Sequence, residues 1–254
     1  MQAVVLAAGV GRRLGALTER STKCMLEVDG RRLIEYTLDA LVAADVERIV
    51  LVVGHGADEV RSLVGTHRQG TPVRYVHNPR YAQTNTSVSL LLAREHLETD
   101  DTLVLEGDLV LDPGIVAECA RIDAPNVAVV AGLQPGMDGV VAVLDDRDYV
   151  SRFVRHSEVD WASADRCRKT VNLYRLAGTF SRERFGPFLE TFVANGGGTR
   201  YYEDALDGLL RQRAAEIVAL PVGDRYWQEI DELADLESAR AAFAARRLVQ
   251  ARRS

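Results

Sequence analysis

Leu6-Ala7-Ala8-Gly9-Val10-Gly11-Arg12-Arg13-Leu14, with Lys23 nine residues further on, reads as the end of a strand that turns into a cationic loop. Residues 3–6 are an uninterrupted apolar run, the pattern of a strand buried on both faces in a parallel sheet. The small residues that follow let backbone N–H groups approach an anion closely, and two arginines and a lysine can neutralise it. A nucleoside triphosphate suits that combination better than an uncharged ligand does. The glycines run G-x-G-x-x-x-G (Gly9, Gly11, Gly15), one residue off the dinucleotide spacing, and no G-K-[ST] triplet follows.

Composition narrows the class. With 254 residues, 47% of them hydrophobic, the chain can bury one large α/β core or two small ones. A net charge of −6 argues against nucleic acid or a membrane surface as partner, so attraction for a polyanion must be local. No apolar run approaches the ~20 residues that span a bilayer. The chain opens directly on a strand, leaving no room for a signal peptide, and a cytoplasmic location is expected. Three widely spaced cysteines (Cys24, Cys119, Cys167) make neither a disulfide framework nor a zinc site. Cys24 lies inside the loop signature, where packing is its expected role.

Outward from the opening strand, strand and helix patterns alternate. Strands are predicted at 3–6, 48–53, 73–77 and 102–105, with helical spacing over 33–42 and 88–97. Asp112-Pro113 reads as an N-cap and first helical residue. From 127 on, short β-rich runs (127–132, 139–144, 149–154, 170–174) predict a partly antiparallel extension over the site. Helices follow at 181–195, stopped by Gly196-Gly197-Gly198, and at 201–213. A strand at 217–220 and a helix from about 234 close the chain. Arg246-Arg247 and Arg252-Arg253 read as a solvated helix end. The expected fold is α/β, a Rossmann-like, mostly parallel sheet flanked by helices. One domain is expected, with a nucleotide-binding half to about 125, an acceptor-binding half over 126–233 and a C-terminal helix.

Leu103-Val104-Leu105-Glu106-Gly107-Asp108 is an apolar strand ending in acids. Ligands of open α/β sheets lie beyond the carboxyl ends of the strands, where the Gly9–Arg13 turn also lies, so Asp108 and that turn can face one crevice. Mg²⁺ takes one or two carboxylates plus phosphate oxygens. Asp231 is the second candidate ligand, with Glu229 on the same side of its local strand.

Taken whole, LAAGVGRRLGALTERSTKCMLEVDG resembles the N-terminal signature of the nucleotidyltransferases that activate sugar phosphates, phosphocholine and phosphonates. The resemblance runs from residue 2 to about 240. It is strongest at the signature and at WQEIDELADLESA, and weak across 110–165. It implies an Asp after the central strand and another in a late [EQ]-I-[DN] segment, here Asp108 and Asp231, both binding the catalytic Mg²⁺. Many relatives carry Thr or Ser where Arg12 stands. The expected catalytic residues are Arg13, Lys23 and Asp108. The expected nucleotide site adds Leu6, Ala7, Ala8, Gly9, Gly11, Arg12, Asn85, Ser87 and Glu106.

The reaction implied is attack of a phosphate or phosphonate oxygen on the α-phosphorus of a triphosphate. The nucleophile is already an anion, which agrees with the lack of a Ser/His or His/Asp constellation. Segment 84–90, besides offering helix caps, resembles phosphocholine and phosphonate cytidylyltransferases, so CTP is the favoured nucleotide. Lys169-Thr170-Val171-Asn172 is similar to cytidylyltransferases acting on small phosphonates and inositol phosphate. Lys169, Asn172, Tyr202, Glu203 and Glu229 form the expected acceptor site. A hydroxyalkyl- or aminoalkyl-phosphonate, as in the fosfomycin-pathway type, or phosphocholine is the expected acceptor. A sugar-1-phosphate nucleotidyltransferase and a non-catalytic nucleotide sensor are the competing readings, and a nicotinamide dehydrogenase is disfavoured by the glycine spacing.

Overall fold

A computed structural model describes residues 1–19 and 21–251, with side chains through 246. Arg252 and Arg253 lie outside the described residues, as does the side chain of Arg247. The opening strand Gln2–Ala7 is central and fully buried, flanked in parallel by Thr102–Glu106 on one side and Ile49–Val53 on the other. Thr71–His77 continues the parallel set beyond Ile49–Val53. Alternate residues divide between two cores, as the two-residue period requires. Val5, Leu51 and Leu103 face the helices Leu33–Ala43 and Pro113–Arg121. Val4, Val50 and Val104 face the helices that include Tyr202–Arg211.

Past Thr102–Glu106 the sheet becomes antiparallel through Cys167–Leu176, Val140–Leu144 and Val150–Arg155. Val127–Gly132 also pairs with Cys167–Leu176, and Val218–Pro221 adds to it in parallel. The mixed, mostly parallel centre and the antiparallel extension agree with the expected class. Asp112 caps its helix as the sequence indicates, its Oδ1 accepting the Gly114 N–H at 2.8 Å.

Several elements depart from expectation. The helix expected over 88–97 is two, Thr86–Leu92 and Arg94–Thr99, hinged at Ala93; the Asn85 cap moves the start upstream. The helix expected over 181–195 opens with a wide π turn at Ser181–Phe185 before Gly186–Ala194. Pro187 has no N–H to give the preceding turn, and a wider turn accommodates that loss. Its end is as expected, with Gly196 at φ 95°. Helix Ala57–Val64 went unforeseen because Val60 and Val64 are its sole buried apolar residues. Also unforeseen is a small antiparallel pair, Leu109–Leu111 with Trp227–Glu229, which sets Glu229 opposite Leu109. No helix among the described residues is long and apolar enough to cross a membrane.

Candidate active site

Register assembles the site. Leu6 lies opposite Glu106, so the Ala8–Gly11 loop and the Glu106–Asp108 turn leave the sheet side by side. Gly107 makes that closeness possible: its N–H donates to the Leu6 carbonyl at 2.9 Å, and a Cβ there would lie 2.9 Å from the Ala7 Cβ. Gly11 holds φ 70° with Thr18 and Lys23 crowded where a side chain would be, a place only glycine fills without strain. The loop is tied down through its carbonyls. Thr22 Oγ1 donates to Gly9 O at 3.1 Å, Thr18 Oγ1 to Gly11 O at 2.9 Å, and the His55 N–H to Ala8 O at 3.3 Å. The N–H groups of Gly9, Val10 and Gly11 have no acceptor among the described residues. A fixed loop with free N–H groups is a nest for an anion.

The loop opens on a cavity of about 520 Å³ lined by Leu6–Arg13, Lys23, residues 81–86, Glu106, Asp108, Asp138, Asn172, Tyr201, Glu203, Glu229 and Asp231. Lys23 is its electrostatic centre. Its ammonium contacts both Asp108 and, at 2.5 Å, Asp231, residues distant in sequence. Arg13 reaches the same Asp231 at 2.9 Å and Asp138 at 2.7 Å. Burial opposes the Lys23 charge, yet Asp108 and Asp231 outweigh it and hold the ammonium above its ordinary range. Burial likewise pushes Asp231 up, but Lys23 and Arg13 win and keep its carboxyl below the usual range. Arg12 donates to the Ala82 carbonyl at 2.9 Å, fastening the loop to the turn after Thr71–His77.

Carboxylate oxygens of Glu106, Asp108 and Glu229 lie within 4.8 Å of one another. Burial pushes Glu106 well above the carboxylate range, with Asp108 and Glu229 adding. Burial raises Glu229 to about 7 against the pull of Lys169. Asp108 Oδ1 is buried and has no hydrogen-bond partner among the described residues. Crowded oxygens that repel one another, one of them orphaned, fit a hard dication such as Mg²⁺. Asp231, expected as the second ligand, is not one of this trio but meets Asp108 at the Lys23 ammonium.

Other expected residues are distributed unevenly. Asn85 lines the cavity and caps its helix, its side chain accepting the Thr86 N–H at 2.8 Å. Ser87, expected at the nucleotide, is buried and spends its hydroxyl on the Gly197 carbonyl at 2.8 Å, because it faces the Gly197–Thr199 turn. Asn172 lines the cavity at φ 55°, at a break in the pairing register of its strand, a backbone conformation that asparagine tolerates. Lys169, expected at the acceptor, is not part of the cavity wall; its ammonium donates to Thr170 O at 2.8 Å and pairs with Glu229 at 3.4 Å. Tyr202 is corrected to a core residue, fully buried edge-on against Tyr174 at 5.5 Å, while its neighbours Tyr201 and Glu203 reach the cavity. The helix start sets this phase, since successive side chains point about 100° apart. Burial pushes the Cys24 thiol up to about 12, consistent with packing. Asp138 was missed; it sits between Gly136 and Gly139 and reads as an ordinary turn residue.

A family described as the MobA-like NTP transferase domain matches residues 3–248. The chain is similar to CMP-5'-(3-aminopropyl)phosphonate synthase of Streptomyces rubellomurinus, 38% identical over 96% of this chain, and spans 39% of that relative's length. Its fold is similar to the CTP:phosphocholine cytidylyltransferase of Streptococcus pneumoniae, with TM-score 0.79, 20% identity, and 95% and 98% of the two chains covered. The inositol-1-phosphate CTP transferase of T. maritima is similar too, with TM-score 0.75, 21% identity, and 94% and 95% covered.

Proposed function

This chain belongs to the MobA-like NTP transferase family, and from that premise we propose that it transfers CMP from CTP to a small phosphonate or phosphate-monoester acceptor, releasing pyrophosphate. The observation that carries the reading is the meeting of Arg13, Lys23, Asp108 and Asp231 at one cavity beside the free N–H groups of the glycine loop. A nucleotide sensor has no need of crowded carboxylates facing those cations. Relatives named for CMP transfer support cytosine as the base.

In the reaction an acceptor oxygen forms a bond to the α-phosphorus while the bond to the bridging oxygen breaks. The electron pair leaves on pyrophosphate. The acceptor arrives ionised, so the chain's task is to align two polyanions and stabilise charge. The glycine-loop N–H groups and Arg13 would hold the triphosphate. Lys23 would exchange its carboxylate partners for phosphate oxygens. Asp108 and Asp231, which both contact the Lys23 ammonium, would hold Mg²⁺ together with the carboxylates of Glu106 and Glu229 that crowd Asp108. When bound, the ion neutralises phosphate charge and polarises the α-phosphate. Asn85 would meet the base, the nucleotide occupying the half up to about residue 125. Asn172, Glu203 and Glu229 would meet the acceptor, with Lys169 holding Glu229 in place.

Pyrophosphate release, assayed with each triphosphate, Mg²⁺ and a panel of acceptors, tests this. CTP with a small phosphonate or phosphocholine is the expected pair. Release only with glucose-1-phosphate overturns the acceptor class, and no release with any pair favours the sensor.

A further inference from the structure

Glu203 sits in the cavity wall with only 2% of its surface exposed. One carboxylate oxygen accepts the Tyr174 hydroxyl at 3.1 Å, while the other, Oε2, has no hydrogen-bond partner among the described residues. Tyr174 and Tyr202, which pack beside it, are fully buried and do not line the cavity. The Tyr202 hydroxyl is likewise buried without a partner among the described residues, and of this cluster Glu203 is the member that borders the cavity. A buried carboxylate oxygen without a donor is costly, and a ligand that supplies the donor recovers the loss.

We propose that Glu203 is the specificity-determining residue of the acceptor site and selects a small phosphonate that carries a primary ammonium group. The proposal rests on the cytidylyltransferase reading above and narrows its acceptor. Three observations discriminate between terminal groups. A quaternary ammonium has no N–H for Oε2 and needs open aromatic faces. Among the described residues the aromatic rings lining the cavity are Tyr81 and Tyr201, and the Tyr201 face already carries the Arg155 guanidinium 3.9 Å from its centroid. A hydroxyl brings a donor but no charge to a wall that also holds Glu106, Glu229 and Asp138. The nearby Lys169 ammonium offsets burial at Glu203 only in part, its own contacts being with Thr170 O and Glu229. Burial pushes Glu203 up to about 7, so near neutral pH an arriving ammonium would hold it ionised. Arg13, Lys23 and Glu203 line one cavity, so a zwitterion would place its phosphonate toward the two cations and its ammonium on Glu203.

The test pairs 2-aminoethylphosphonate with 2-hydroxyethylphosphonate, and the three-carbon amine with its alcohol, at saturating CTP and Mg²⁺. Wild type is expected to favour each amine by roughly 10²-fold in kcat/KM, the scale of one desolvated charge pair. Glu203→Gln should lose that preference with KM for CTP unchanged, and Glu203→Asp should keep part of it. Preference for the alcohols, or an equal loss for both acceptors in Glu203→Gln, overturns the proposal. Calorimetric titration with each phosphonate, in the presence of a non-transferable CTP analogue, reads recognition without turnover. If no pyrophosphate forms with any acceptor, the transferase reading fails. Tighter binding of amines that Glu203→Gln abolishes still upholds the role of Glu203, and equal binding of amine and alcohol overturns it.

Discussion

Lys23 carries more of this site than any other side chain. Its ammonium joins two carboxylates that the chain brings from residues 108 and 231, and it stays charged despite burial because both are there. Truncating it therefore removes a charge from phosphate binding and leaves Asp108 without its cation, with Arg13 alone on Asp231. Lys23→Ala is expected to lower kcat by roughly 10²–10³, the scale of losing one preorganised charge-stabilising donor. Steady-state kinetics with CTP and a reactive acceptor reads this, and an unchanged kcat removes Lys23 from the chemistry. Asp138 holds the other side of Arg13 on the rim of the cavity, but it is largely exposed, and a pair so placed contributes little to stability.

At the scale of elements, two chain crossings build the site. The first is the approach of Gly107 to the opening strand, where a methyl group would sit 2.9 Å from the Ala7 Cβ and 3.3 Å from the Leu6 carbonyl. Gly107→Ala must push the Glu106–Asp108 turn away from the glycine loop. A stability loss of about 1–3 kcal/mol, the usual cost of overpacking, is expected in urea unfolding, with a fall in kcat. Gly132→Ala is the control, because a Cβ at that strand end meets nothing within 4 Å; equal losses in both variants would refute the argument. The second crossing is the short pairing of Trp227–Glu229 with Leu109–Leu111, reinforced by the Ile230 N–H on Asp108 O at 3.1 Å. It carries Glu229 and Asp231 to the ends of the parallel strands.

Over the whole molecule the buried acids set a pH dependence. Glu203 has its ordinary value of 4.5 raised to about 7 by burial, so the folded chain holds this proton more tightly than the unfolded chain does. Below about pH 4.5 both states are protonated and the group costs nothing. As pH rises from there to about 7 the unfolded state releases its proton first, and stability is lost, on the order of 3 kcal/mol above pH 7. Glu203→Gln carries no such penalty. Its stability relative to wild type, from urea unfolding at a series of pH values, is expected to grow between pH 5 and 8. A difference that stays flat across this range would show that Glu203 is ionised without cost in the folded protein.

The opening strand, the glycine loop, the alternation of strands and helices, and Asp108 at a strand end were legible from residues 1–110. Each rests on local rules: apolar runs bury, small residues turn, and acids end strands. Local rules could not phase residues 201–203, where one step along a helix separates the core tyrosine from the cavity carboxylate. Nor could they show Ser87 turned inward, Lys169 committed to Glu229, or Glu229 crowded against Glu106 and Asp108. Those positions follow from pairing between segments from 60 to more than 100 residues apart. Which atoms meet there depends on register and on burial summed over the whole fold, and neither is a property of any short stretch.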